Sequence, residues 1–210
     1  MSLPQAQIRY TEDQYLSIER ESEERHEYLD GQIYAMAGES PQHGDICTNL
    51  TREVSAQLKG TRCRLWTKDT KVRSGPMPKR RHSIKGLYSY PDAVIVCGNP
   101  QFLDEHQDVL INPRVIIEVA SPSTEAFDYG EKFLRYRTFN PSLTDYLIVA
   151  QNRPSIEHFA LREDGLWMIA DSVVELSGSV HIASINCNLQ LAEVYDRVKF
   201  TEEEEELDEE

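Results

Sequence analysis

The sequence predicts an α/β protein of the α+β kind, a mixed β-sheet flanked by helices with additional β-hairpins. Two short runs, Ala93-Val94-Ile95-Val96-Cys97 and Val115-Ile116-Ile117-Glu118-Val119-Ala120, are rich in β-branched residues and bounded by Pro, Gly or Ser, as strands buried on both faces are. Segments of helical periodicity lie on either side of them. The resulting order of helix, hairpin, helix, three strands, helix, strand and hairpin points to a mixed sheet covered by helices. A chain of 210 residues is long enough for one real core, so residues 1–200 are expected to form a single domain.

Taken in order, Thr11 is the expected cap of a helix running to about Ser22, with Tyr15, Leu16 and Ile18 on its apolar side. Asp30-Gly31 then divides two alternating runs, a hairpin signal, because a type I′ turn requires positive φ at both central residues. Ser40-Pro41 opens a second helix as cap and first helical residue, burying Ile46, Leu50, Val54 and Leu58. A strand is expected from Cys63 to Val72, then an exposed loop in which Gly75, Pro76 and Pro78 forbid regular structure. The next helix is expected to start at Asp128, since Asp128-x-x-Glu131 fits a capping box. That would place Lys132 in its first turns near the strand ends, with Tyr136 one turn later. Leu143 to Ala150 reads as a buried strand, and Ser155 to Leu176 as a hairpin turning at Asp164-Gly165 with Trp167 as packing. Leu191 to Tyr195 reads as a short closing helix, and 201–210 as a disordered acidic tail.

The net charge of −14 is unevenly placed. Eight acids lie between Glu202 and Glu210, leaving −6 for the rest, and between Lys59 and Lys85 ten basic residues face only Asp69. A positive patch on an acidic body can hold a polyanion, because screening confines strong interactions to about 8 Å. Arg62, Arg64, Lys68, Lys71, Arg73, Lys79, Arg80 and Arg81, with Trp66 among them, are therefore candidate nucleic-acid contacts, the bland alternative being a solvated face. No apolar run approaches a membrane span and the first residues lack the order of a secretion signal, so a soluble cytoplasmic protein without a membrane partner is expected. The four cysteines, Cys47, Cys63, Cys97 and Cys187, look scattered, with no C-x-x-C pair and no histidine at ligand spacing. They are expected to be reduced, without a zinc site or disulfide frame.

A lone acid accompanies each central strand, Asp92 before the first and Glu118 within the second. Burying an unpaired carboxylate costs several kcal/mol, so two on neighbouring strands suggest a divalent cation between them. Oxygen ligands of this kind suit Mg2+ or Mn2+, and Lys132 would orient or deprotonate a water and offset phosphate charge. The alternative is a structural ion pair of the two acids with Lys132. Glu27 reads either as a third carboxylate or as a strand acid paired with Arg25 or a backbone amide. His43 reads either as a phosphate contact or orienter of Glu27, or as an ordinary polar residue of a helix's first turn.

Five landmarks in order resemble a known family: Glu27-Tyr28-x-x-Gly31; His43 followed by Asn49-Leu50; Pro91-Asp92-x-Val94-x-Val96; Glu118-Val119-x-Ser121-Pro122-Ser123-Thr124; and Asp128-x-x-x-Lys132-x-x-x-Tyr136. They resemble a bacterial family of restriction endonuclease-like proteins, long filed as a domain of unknown function, abundant in cyanobacteria and placed in the PD-(D/E)XK nuclease superfamily. The resemblance covers about residues 10 to 195. It implies a restriction-endonuclease-like core and a metal-dependent phosphodiesterase whose Asp92 and Glu118 bind magnesium while a lysine assists the attacking water. The superfamily's usual lysine position, two residues after the Glu, holds Ala120 here, and the similarity offers Lys132 instead. The expectation is a Mg2+- or Mn2+-dependent endonuclease acting on double-stranded DNA as a homodimer. The alternative is an inactive nucleic-acid-binding or protein-interaction module of the same fold.

Overall fold

The computed structural model describes residues 8–36, 38–76 and 83–200. Lys79, Arg80, Arg81 and the acidic tail lie outside them. The chain opens with α1 (Glu12–Glu21), the hairpin β1 (His26–Leu29) and β2 (Gln32–Ala35), and α2 (Pro41–Leu58). Six strands follow: β3 (Cys63–Thr67), β4 (Lys71–Ser74), β5 (Leu87–Ser89), β6 (Ala93–Cys97), β7 (Val109–Leu110) and β8 (Val115–Ala120). A helical crossover in three parts, α3 (Glu125–Phe127), a π-helical turn (Asp128–Lys132) and α4 (Phe133–Phe139), leads to β9 (Asp145–Ala150). The chain ends with β10 (Ile156–Leu161), β11 (Trp167–Val173), β12 (Ser179–Ile182), β13 (Cys187–Gln190) and α5 (Leu191–Val194).

Local chemistry explains the early elements. Thr11 and Gln14 form a reciprocal capping box on α1, and Ser40 caps α2 with Pro41 at its start. Asp30 at φ 46° and Gly31 at φ 95° make the expected hairpin turn. In α1, Tyr15 and Leu16 are buried, but Ile18 faces solvent, contrary to its expected place on the apolar side.

A mixed six-stranded sheet, ordered β11-β10-β9-β8-β6-β3, holds the central strands. β6 and β8 are antiparallel neighbours, while β8 and β9 run parallel and are joined by the helical crossover, as a parallel pair requires. Strand alternation divides the core. Ala93, Ile95, Val115, Ile117, Leu147 and Val149 pack with Ile46, Leu50, Val54 and Leu58 of α2, whereas Val94, Val96, Ile116, Tyr146 and Ile148 pack with Phe133 and Tyr136 of α4. Both faces are covered, which is why β6, and β8 apart from Glu118, read as continuous apolar runs. Trp167 is packing, as expected, set edge-on to Phe133 at 5.3 Å.

The sequence leaves unseen a second sheet of five strands, β2-β1-β5-β4-β7. The single strand expected from Cys63 to Val72 is in fact two: β3 edges the six-stranded sheet and β4 lies inside the five-stranded one. Because β3 pairs with β6 in a register that sets Cys63 opposite Cys97, those two cysteines form a disulfide, leaving Cys47 and Cys187 free. The expectation of four reduced thiols is corrected accordingly. Cross-strand register joins residues 34 apart in sequence, and spacing alone does not reveal it. Among the described residues no helix is long and apolar enough to cross a membrane.

Candidate functional site

Glu118 points into the α4 side of the sheet for a simple reason. It shares strand parity with Ile116 and Ala120, both of which pack there. Its Oε1 accepts a hydrogen bond from the Tyr136 hydroxyl at 3.0 Å, and the Ser89 hydroxyl stands 2.7 Å from that of Tyr136. Tyr136 has one hydroxyl hydrogen, so donating to Glu118 leaves Ser89 to donate to Tyr136.

Lys132 comes from the crossover, but not as the sequence suggests. The helical segment begins at Glu125, and Asp128 lies within the π turn at φ −67° and ψ −43° rather than capping a helix. Side chains on a helix lean toward its N-terminus, so Lys132, at the end of the π turn, is directed back toward the end of β8. Its Nζ lies 3.4 Å from Glu27 Oε1, 3.5 Å from Glu118 Oε1 and 3.3 Å from Asp128 Oδ1. All three contacts are longer than the 2.7–2.9 Å typical of a charge-assisted hydrogen bond. The ammonium is caged by charge rather than locked to one partner. Glu27 Oε1 also accepts the Tyr90 N–H at 3.3 Å, which holds it toward the site from β1.

Asp92 completes the cluster. Its Oδ2 accepts the Val119 N–H at 2.7 Å and its Oδ1 lies 2.8 Å from His43 Nε2. The β6/β8 register pairs Ala93 with Ile117, and one further step sets Asp92 across from Glu118. His43 is therefore the partner of Asp92, not of Glu27. Cys47, one helical turn beyond His43, places its Sγ 3.6 Å from Asp92 Oδ1.

The charge balance is lopsided: one lysine faces Glu27, Glu118 and Asp128, with Asp92 beside them. Burial pushes the Glu118 carboxyl up to about 8; Lys132 opposes this, while Asp128, Asp92 and Glu27 add to it. Asp128 is likewise raised by burial against the pull of Lys132. Burial disfavours the Lys132 ammonium, but Glu118, Glu27 and Asp128 outweigh it and hold its pKa well above the ordinary lysine value. Excess carboxylate around one cation is a setting that a further cation relieves. The oxygen donors of Asp92 and Glu118 suit a hard divalent ion. A cavity of about 340 Å³, lined by Glu27, Leu29, Tyr34, Leu87 and Phe127, opens beside Glu27.

The basic segment divides. Arg62 and Arg64 are exposed, Arg64 on the edge strand β3, and Lys68 is paired with Glu39. Lys71 and Arg73 do not belong to a phosphate-facing surface. Lys71 is buried beside Asp108 and the rings of Tyr15 and Tyr90. Arg73 is buried against Glu12 at 2.8 Å, the Tyr88 hydroxyl and the carbonyls of Gly75 and Pro76. Both sit on β4, an interior strand of the second sheet, whose existence the composition of the stretch does not disclose. Trp66 stacks on Phe102 at 5.7 Å and is likewise packing. Sequence reading misses Ser89 and Cys47. Ser89 carries no signal, but Cys47 does: the expectation that no histidine stands at ligand spacing overlooks His43, four residues earlier on a helix.

The family model Uma2, described as "Putative restriction endonuclease", matches residues 12–191. The uncharacterized protein slr1290 of Synechocystis sp. is 32% identical over 188 residues, covering 90% of this chain and 92% of the relative. A second uncharacterized protein of that organism, sll1609, is 29% identical over 165 residues, covering 79% and 88%. A crystal structure of a putative nuclease belonging to DUF820 from Anabaena variabilis aligns with a TM-score of 0.68 at 15% identity, covering 89% of this chain and 97% of that one. At that identity the likeness concerns the fold alone.

Proposed function

Since the chain belongs to the Uma2 family of putative restriction endonucleases, we propose that it is a metal-dependent endonuclease-like enzyme hydrolysing phosphodiester bonds, with DNA as substrate. The observation that carries this reading is the cage of Glu27, Glu118 and Asp128 around the single ammonium of Lys132, with Asp92 beside it. Mg2+ or Mn2+ held by Asp92 and Glu118 would supply Lewis acidity and charge neutralisation on the phosphoryl oxygens. The chain's own groups do the rest. Tyr136 and Ser89 orient Glu118, while His43 and the Val119 amide orient Asp92. Lys132, kept charged by its three neighbours, donates to the attacking water and offsets phosphate charge in place of a lysine at Ala120. Glu27 is one of the three carboxylates that hold that ammonium. Arg62, Arg64 and Lys68 are the described candidates for backbone contacts, with Lys79, Arg80 and Arg81 as further ones. Double-strand cleavage fits a homodimer presenting one site to each strand, in the cytoplasm.

The burial of Lys132, 8% exposed, favours a second reading, a non-catalytic nucleic-acid-binding or interaction module in which the cluster is structural. A supercoiled-plasmid assay separates the two. On the endonuclease reading, nicking appears with Mg2+ or Mn2+, stops with a chelator and is lost in Asp92→Ala and Glu118→Ala. The absence of nicking by folded wild-type protein, or its persistence in both variants, refutes that reading.

A further inference from the structure

We propose that His43, Cys47 and Asp92 form a second kind of metal site, one that takes a thiophilic transition ion such as Zn2+ or Co2+ rather than a hard ion. His43 and Cys47 lie four residues apart at the start of α2, so both side chains occupy one helix face, the spacing that lets two donors share an ion. Asp92 enters from the turn before β6 as the third donor. One donor atom from each residue lies within 4.8 Å of the other two, and the three are half-buried, open enough to admit an ion from solvent.

The two separations from Asp92 lie close to those an ion requires. Tetrahedral coordination with bonds of about 2.0 Å to nitrogen and oxygen and about 2.3 Å to sulfur sets donors about 3.3 Å apart for N and O, and about 3.5 Å for S and O. Asp92 Oδ1 stands 3.6 Å from Cys47 Sγ, already at that spacing, and 2.8 Å from His43 Nε2. An ion there replaces the His43–Asp92 hydrogen bond by widening it about 0.5 Å. On binding, the Cys47 thiol proton passes to solvent, as thiolate ligation requires. Asp92 Oδ2 keeps its bond to the Val119 amide, so the carboxylate stays anchored while Oδ1 ligates. Three protein donors leave a fourth position for water, the pattern of an open rather than a closed zinc site. The mixed N, S and O set discriminates against Mg2+, which demands oxygen ligands. Because Asp92 also belongs to the proposed hard-ion pair with Glu118, a thiophilic ion here competes for a carboxylate the phosphodiesterase would need.

Co2+ titration of the folded protein without reductant, its Cys63–Cys97 disulfide kept intact, tests this without any cleavage assay, so metal binding is read whether or not the protein cuts DNA. A thiolate-to-cobalt charge-transfer band is expected in the wild type and in Cys187→Ser, and is lost in Cys47→Ser. His43→Ala is expected to weaken Co2+ binding at least about tenfold. Zn2+ is expected to protect Cys47 from alkylation, read by mass spectrometry, with thermal melts confirming that each variant is folded. No charge-transfer band in the wild type, or a band that survives in Cys47→Ser, overturns the proposal.

Discussion

Asp92 Oδ2 accepts the backbone N–H of Val119 at 2.7 Å, tying the turn before β6 to the strand that carries Glu118. This bond fixes the acid against β8 before any ligand arrives. Asp92→Ala would leave both the Val119 amide and His43 without their carboxylate partner. The expected loss is about 1–3 kcal/mol in urea unfolding, the penalty for stranding largely buried polar groups. Asp92→Asn, which retains an acceptor for the amide, should lose less.

Lys132 is expected to be the costliest single change. Lys132→Met removes the cation that Glu27, Glu118 and Asp128 surround and leaves those three acids facing one another, at about 3–5 kcal/mol. Glu118→Gln in the same background takes away one of the stranded charges, so the double variant should be more stable than the sum of the two single effects predicts. Strict additivity in equilibrium denaturation would mean the two groups do not interact.

The turn at Asp30-Gly31 gives a prediction independent of the site. Gly31 has φ 95°, and an added Cβ would come 3.3 Å from the Arg9 Cβ. Gly31→Ala should therefore cost about 1 kcal/mol or more, seen as a lower Tm with an unchanged circular dichroism spectrum.

What can be read in advance is local. Ser40-Pro41, Asp30-Gly31 and the apolar runs of β6 and β8 announce themselves because each depends on a few adjacent residues. The meeting of Glu118 and Lys132 is expected from the sequence for a partly mistaken reason: Asp128 is not a cap, and Lys132 arrives because helical side chains lean backward. Arg73 looks like a phosphate contact because composition cannot distinguish β4, inside a sheet, from β3 at an edge. The Cys63–Cys97 bridge shares that cause, since it follows from the register of strands distant in the chain.

Asp145 should govern part of the acid limb of stability. Burial would raise its carboxyl, but hydrogen bonds from His158, Ser184 and Thr144 outweigh that and hold it below the usual carboxylate value. A depressed folded-state pKa means the stabilisation is fully present above the unfolded value, about 3.9, and is lost as pH falls through the folded one. Urea midpoints measured from neutral pH downward should fall in the wild type, and more shallowly in Asp145→Asn. Equal slopes would show that this carboxyl does not contribute.

The central claim is that the caged ammonium serves phosphodiester hydrolysis. Single-turnover cleavage of a fluorescent DNA duplex with Mn2+, comparing wild type and Lys132→Met after both are shown to be folded, tests it most directly. The predicted loss is about 10²–10³-fold, the usual contribution of one preorganised donor that stabilises transition-state charge. Cleavage by Lys132→Met at the wild-type rate would contradict it.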